Sequence, residues 1–351
     1  MSGLPLSLVS TGLVTAVGLS APASCAAMRA KISNPSETRF IDSNGEWLMA
    51  HQVELEQPWR GLIKLAKMGA MAIDEALAAV PRDGWREVPL LLCVAERERP
   101  GRTDGLDDRL LPMIETELGV RFAPTSVIVP HGRVAAAVAL SIARKLLSGA
   151  AGETPGQVLI AATDSLLSWP TLGFYEREGR LLTPRNSNGF MPGEGAGALL
   201  VQRAESAGAG TTAAGLQCRG IGFGVERAAI ASDEPLRADG LAQAIKQALA
   251  DAGCAMHDTD YRITDLSGEH YYFKEASLAL SRTLRQRKEE HDLWHPAECI
   301  GEAGALAGLA VAALADAASR KGYAKGPVAL AHLANDGGQR GAFTLHQRAA
   351  A

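Results

Sequence analysis

The residues with the clearest chemical potential lie where a predicted strand meets a predicted helix. The stretch 127–147 reads VIVPHGRVAAAVALSIARKLL, a β-branched run that ends at a proline and leads into an Ala-rich segment with apolar residues at helical spacing. Such a corner presents its first helical residue at the positive end of the helix dipole, where unpaired amides favour developing negative charge. The corner carries His131, Gly132 and Arg133, and neither Ser nor Cys stands there as a nucleophile.

Histidines and carboxylates elsewhere offer two further patterns. His131, His270 and His295 could form a metal-binding or catalytic cluster, but no CxxC spacing accompanies them, so we expect no metal and no cofactor. Glu298 and Glu302 lie four residues apart at a predicted helix start. The helix dipole favours carboxylates there, so capping competes with general acid–base chemistry as their role.

Composition argues against several function classes. The 351 residues carry a formal net charge of -4 with scattered Lys and Arg, which argues against a nucleic acid held by phosphate contacts. The five cysteines are odd in number and widely spaced, which favours a reducing compartment over disulfides or zinc. No apolar run reaches the roughly 20 residues needed to span a bilayer, and the start lacks the charge of a signal peptide. We therefore expect a cytoplasmic protein without a membrane or nucleic-acid partner.

Predicted strands and helices alternate along the chain, and the pattern occurs twice. In the first half, strands are predicted over 6–17, 88–95, 127–129, 157–162 and the end of 189–201, and helices over 21–30, 60–80, 107–118 and after the corner. In the second half, helices are predicted over 242–253 and 301–318, and strands over 261–266, 328–333 and 342–345. This predicts an α/β protein of two similar halves, 1–205 and 206–351, divided near the linker-like stretch 206–212.

Four segments in this order resemble the β-ketoacyl-acyl carrier protein synthases of the thiolase-like superfamily. They are VSTGLVTAVG, GFMPGEGAGALLV, GLAQAIKQALADAG with its following strand, and IGEAGALAGLAVAALA. The resemblance covers most of the chain and implies a five-layered α-β-α-β-α fold made of two duplicated halves. It also implies a dimer, because members of this family are usually homodimers.

The catalytic positions that the resemblance implies are vacated in this sequence. The position of the nucleophilic cysteine at the strand-to-helix corner is matched by His131, and an acyl-imidazole would hydrolyse before a second substrate bound. The first catalytic histidine, which opens an HGTGT motif, is matched by Ser267, and Glu269 falls on a threonine of that motif. The second, in a GHxxGxxG motif, is matched by Glu298. Two imidazoles that would polarise the thioester carbonyl are therefore replaced.

The last motif and the corner arginine complete the predicted former site. The loop that carries a gating phenylalanine in the family reads ANDGGQRGA here, with Asn335 and Asp336. Arg133 lies beside the old nucleophile position, and a buried guanidinium there needs an acceptor. We expect a salt bridge from Arg133 to Asp265, Glu269 or Glu298, which would fill the former active site.

These observations favour a catalytically inactive ketoacyl-synthase homologue that acts by binding another protein. The segment 11–32 resembles degenerate synthase-like proteins found beside type VI secretion genes, which implies a secretion accessory or effector protein as partner. The alternative is an acyltransferase with rebuilt chemistry, or a non-condensing subunit of an active synthase similar to chain-length factors. Because chain-length factors usually carry glutamine at the cysteine position, His131 weakens that alternative, and an acyl carrier protein is the less favoured partner.

Overall fold

The computed structural model describes residues 3–149, 154–204 and 215–348. Its strands are β1 (Leu6–Val14), β2 (Ser36–Ile41), β3 (Trp47–Ala50), β4 (Leu90–Cys93), β5 (Val127–Val129), β6 (Gln157–Ser165), β7 (Glu194–Arg203), β8 (Leu216–Val225), β9 (Tyr261–Thr264), β10 (Asp292–Trp294), β11 (Val328–Ala334) and β12 (Gln339–Gln347). Its α-helices are α1 (Ala21–Arg29), α2 (Gly61–Ala76), α3 (Leu110–Leu118), α4 (Ala135–Leu147), α5 (Trp169–Arg177), α6 (Asp239–Ala252), α7 (His270–Thr283), α8 (Ala297–Ile300) and α9 (Ala307–Arg320).

The sheet topology contains the same five-strand arrangement twice. The first half has the order β5-β4-β6-β7-β1, and the second has the equivalent order β10-β9-β11-β12-β8. The halves join through a short antiparallel pairing of β1 with β8, at Leu6 with Cys218 and Ser7 with Gln217. The predicted duplication is therefore confirmed, while the predicted boundary near 206–212 lies outside the described residues.

Helices fill the layers between and outside the two five-strand halves. α4 and α9 share the central core with the facing sides of both halves. On the outer sides, α2 and α3 cover the first half, and α6 covers the second together with α7. This is the α-β-α-β-α layering expected from the sequence.

Close contact between α4 and α9 explains the small residues of the second helix. A Cβ at Gly308 would collide with the Cβ of Ala136, so the two helices approach at a distance that only glycine permits. The helix begins later than predicted, because Gly301 adopts φ 71° and residues 304–306 form a 3-10 turn before α9. That delay leaves Glu302 in a loop that faces the first half.

Several elements were not predicted from periodicity. The hairpin of β2 and β3 is short and half exposed, α5 is capped by the Ser168 hydroxyl and carries Pro170 in its first turn, and α7 follows β9. Each is too short or too polar for a strong apolar period. No helix in the described ranges is long and apolar enough to cross a membrane.

Candidate functional site: a buried ionic cluster between the two halves

The strand-to-helix corner forms as predicted, but its inward-facing residue is a glycine. β5 ends at Val129, and Gly132 opens a 3-10 turn at φ 51° before α4 begins. A Cβ at Gly132 would collide with the Glu96 carboxylate, so the backbone itself occupies the nucleophile corner. The His131 side chain is exposed, and only its carbonyl faces inward, where it accepts from Asn335 Nδ2 at 2.8 Å.

Arg133 lies at the centre of the buried cluster. Its Nη1 is 3.2 Å from Glu302 Oε2, and its Nη2 is 2.7 Å from Asp336 Oδ1 and 2.7 Å from the Tyr272 hydroxyl. Asp265, one of the predicted partners, lies 3.9 Å from Nε. The guanidinium also stacks over the Tyr272 ring at 4.5 Å. One arginine from the first half is thus bound by three acidic residues from the second.

Asp336 links Arg133 to a second buried arginine. Arg180 donates from Nη1 to Asp336 Oδ2 at 2.7 Å and pairs with Glu269 through two further bonds of 2.7 and 2.8 Å. The Tyr272 hydroxyl donates to the same Asp336 carboxylate at 2.5 Å. Both guanidinium groups hold the pKa of Asp336 well below its usual range despite its burial. Glu269, predicted as a partner of Arg133, therefore pairs with Arg180 instead.

A third arginine extends the cluster toward β4 and β6. Arg99 donates to Asp164 at 2.7 Å and to Glu96 at 2.7 Å, and the side chains of Arg99 and Asp164 are buried. Asp164 also accepts from the backbone amide of Ala305 at 2.8 Å. This pair anchors the 3-10 turn before α9 to the first half of the protein.

Glu302 and Ser267 form the part of the cluster with the most unusual acid–base character. Ser267 Oγ donates to Glu302 Oε2 at 3.0 Å, and the other carboxylate oxygen accepts from the Gly304 amide at 3.0 Å. Burial raises the pKa of Glu302 to about 7, although Arg133 acts in the opposite direction. A carboxyl group that titrates near neutral pH beside a hydroxyl is chemically suited to general-base work.

Three of the candidate residues from the sequence, Glu298, His270 and His295, lie outside the cluster. Glu298 is exposed and 3.6 Å from Lys31, so Glu302, four residues later, is the carboxylate that lies next to Ser267. The His270 side chain is exposed at the start of α7. His295 packs edge-on against Phe273, 5.8 Å between ring centroids. In the described part of the chain, no group of three metal-ligating side chains forms.

The cluster leaves almost no free volume. The cavity bounded by Arg133, Arg180, Glu302 and Asp336 measures about 10 Å³. A space of this size holds about one water molecule. A larger groove of about 780 Å³ lies away from it, between the β2–β3 hairpin and the start of α5, and Trp59 and Trp169 line its walls.

Sequence reasoning missed five members of the cluster. They are Glu96, Arg99, Asp164, Arg180 and Tyr272. One signal was available, because Glu96 follows β4 and Asp164 lies near the end of β6, just as His131 follows β5. Carboxyl ends of neighbouring parallel strands meet at one edge of a sheet, which is where sites form in α/β proteins. Arg180 and Tyr272 gave no comparable signal.

Comparison with solved structures identifies the fold. No family model matches the sequence, and no curated protein sequence matches it. The ishigamide ketosynthase/chain length factor matches with a TM-score of 0.77 and 19% identity over 99% of this chain and 100% of its own. A type II polyketide ketosynthase, bound to its acyl-carrier protein and a hexaketide, matches with a TM-score of 0.78 and 16% identity over 98% and 99%.

A third neighbour is an oxazolomycin ketosynthase domain from Streptomyces albus JA3453. It matches with a TM-score of 0.78 and 14% identity over 99% of this chain and 75% of the domain. At these identities the likeness establishes the fold. The chain has the thiolase-like fold of ketosynthases, as its sequence motifs imply.

Proposed function

We propose that this ketosynthase-like chain does not condense acyl groups and acts by binding a second protein. The observation that carries the proposal is the corner at Gly132, where a backbone in the left-handed region stands against Glu96 and offers no thiol. Ion pairs occupy the space beside it, so an acyl chain has no room to enter. Because the pocket is filled while the fold is kept, the outer surface is the part of the protein that we expect to act, by binding a partner.

The edge strand β5 is the surface best suited to bind that partner. Among the described strands it pairs with β4 alone, and Val127 is 43% exposed. Unpaired amides and carbonyls at a sheet edge recruit a further strand from another chain. The partner we infer is a second chain of the same fold, either another copy or an active ketosynthase, in the manner of a chain-length factor. The neighbour described as a ketosynthase/chain length factor supports this form of the proposal.

A substitution at the exposed edge tests the proposed interface. Val127→Lys places a charge on β5 without disturbing a buried residue, and we expect it to convert the dimeric species to monomer in native mass spectrometry. Val225→Lys is the matched control, because Val225 is 65% exposed at the end of the inner strand β8. A dimer that survives Val127→Lys, or a wild-type chain that stays monomeric alone and with an active ketosynthase, refutes the interface.

The identity of the partner is a separate question. The resemblance of 11–32 to synthase-like proteins near type VI secretion genes supports a secretion accessory or effector protein as the partner. Capture from native extract with wild-type protein and the Val127→Lys variant distinguishes the two. A ketosynthase recovered by wild type alone supports the chain-length-factor form, and a secretion protein supports the accessory form.

One observation favours an enzymatic alternative. Ser267 donates to a carboxylate whose pKa lies near 7, and this pair could generate an alkoxide-like nucleophile for acyl transfer. Arg133 binds the same Glu302 oxygen, however, so the base is already engaged. Peptide mass mapping after incubation with an acyl thioester tests this form: an acyl group on Ser267, absent in Ser267→Ala, establishes it, and an unmodified Ser267 eliminates it.

A further inference from the structure

A second group of basic side chains, separate from the cluster around Arg133, contains buried nitrogen atoms that have no hydrogen-bond partner among the described residues. Arg262 Nε, His291 Nδ1 and His332 Nε2 are buried nitrogen atoms that lack a hydrogen-bond partner within the described ranges. Buried polar atoms of native proteins nearly always have partners. Three orphaned nitrogens in one region therefore point to an absent acceptor.

The strand register places all three side chains on one face of the second half. On β9, Tyr261 and Ile263 face the central core, so Arg262 faces the opposite side, where α7 packs. Arg262 is opposite Leu330 on β11 and Leu293 on β10. His332 lies two residues beyond Leu330, and His291 two residues before Leu293. Side chains two residues apart on a strand share a face, so both histidines flank Arg262 diagonally.

The burial of Arg262 makes its isolation costly. The residue is only 8% exposed, and its strand neighbours on this face are leucines. Burial lowers the pKa of Arg262, and no nearby carboxylate in the described ranges offsets that effect. A buried guanidinium nitrogen without an acceptor is unfavourable, and a bound anion would supply that acceptor.

The segment 284–291 covers this basic group. Lys288 donates to the carbonyls of His257 and Thr259 at 3.0 and 2.5 Å, which fixes the segment against the start of β9. The Thr259 hydroxyl lies 3.0 Å from His291 Nε2 and thereby orients the ring. The segment thus holds Lys288 and an oriented imidazole at the start of β9, the strand that carries Arg262.

We propose that Arg262, His291 and His332 form a binding site for a phosphate-type oxyanion, either the free ion or a phosphate monoester. The guanidinium fork presents parallel donors to two anion oxygens. Each imidazole nitrogen accepts from a phosphate hydroxyl, or donates to phosphate oxygen once protonated. Burial lowers the pKa values of His291 and His332 to about 4 and about 3, Arg262 contributes further to both shifts, and a bound anion would raise them.

Thermal unfolding with inorganic phosphate tests the proposal. At ten times its dissociation constant, phosphate is expected to raise the unfolding midpoint of the wild-type chain by about 2 °C, with chloride at equal ionic strength as the reference. Arg262→Met, which places a flexible apolar chain among leucines, should abolish the rise. Arg282→Met, at an exposed arginine paired with Asp239, should retain it. No rise in the wild type, or an equal rise in Arg262→Met, overturns the proposal.

Histidine resonances in the wild-type protein give a readout that does not depend on the variant folding. Phosphate should shift the ring signals of His291 and His332 and raise their pKa values, while those of the exposed His131 and His270 stay in place. Glycerol 2-phosphate in a parallel titration separates a monoester site from a site for the free ion. Unshifted His291 and His332 signals with both compounds contradict the assignment.

Discussion

The Glu302 carboxyl group offers a pH-dependent test of the buried cluster. Its pKa is raised by burial from 4.5 to about 7, so between these values the folded state holds a proton that the unfolded state has released. Stability therefore falls as pH rises through this window. Integrating between pH 5 and pH 8 with those two pKa values gives a loss of about 2 to 3 kcal/mol from this group alone. Glu302→Gln removes the titrating group, so the unfolding free energy of the variant should not fall with pH in this way.

Urea unfolding, followed by tryptophan fluorescence at pH 5 and pH 8, measures this difference. The difference in unfolding free energy between wild type and Glu302→Gln should shift in favour of the variant by about 2 to 3 kcal/mol over this pH range. Glu298→Gln is the matched control, because Glu298 is exposed and outside the cluster, and its gap should stay constant. Parallel pH profiles for wild type and Glu302→Gln would refute the reasoning.

Three further substitutions probe the cluster and the core. Asp336→Asn should lower the unfolding free energy by about 2 kcal/mol at pH 7. The loss should be smaller at acidic pH, because the pKa of Asp336 is lowered in the folded state and protonation removes the stability that its charge contributes. Urea unfolding at pH 7 and at acidic pH measures both losses. Gly132→Ala should cost about 2 kcal/mol by the same assay, since φ 51° disfavours a side chain and Glu96 blocks the space. Gly308→Val should cost about 3 kcal/mol, measured against Gly156→Val at an open surface position without a left-handed backbone, because it forces α9 away from Ala136.

The layered fold was predictable because the apolar residues of its helices and strands recur at regular spacing. The apolar period of α2, the β-branched runs of β5 and β9 and the small residues of α9 each report local structure directly. The motifs then set these elements in a duplicated order that the strand pairing confirms. Gly308 shows the limit of such reading: the sequence indicated a close helix contact, but only the structure identifies Ala136 as its partner.

The buried cluster was predictable only in part, because it is assembled from loops of both halves. Arg133 was predicted to form an ion pair, and Asp265 lies near it, yet its closest partners are Glu302 and Asp336. Glu298 was matched to the second histidine because glycines lie three and six residues after it. The structure instead brings Glu302 next to Ser267, because α9 begins later than predicted. Which arginine pairs with which carboxylate depends on loop paths that local periodicity does not encode.

The most direct test of the central claim is intact-mass measurement after incubation with acyl- and malonyl-loaded carrier protein. Because the Gly132 corner lacks a thiol and ion pairs fill the space beside it, we expect neither acyl transfer to the chain nor loss of carbon dioxide from the malonyl group. An active ketosynthase in the same assay is the positive control. A covalent acyl adduct, or decarboxylation above the rate without protein, would contradict the account.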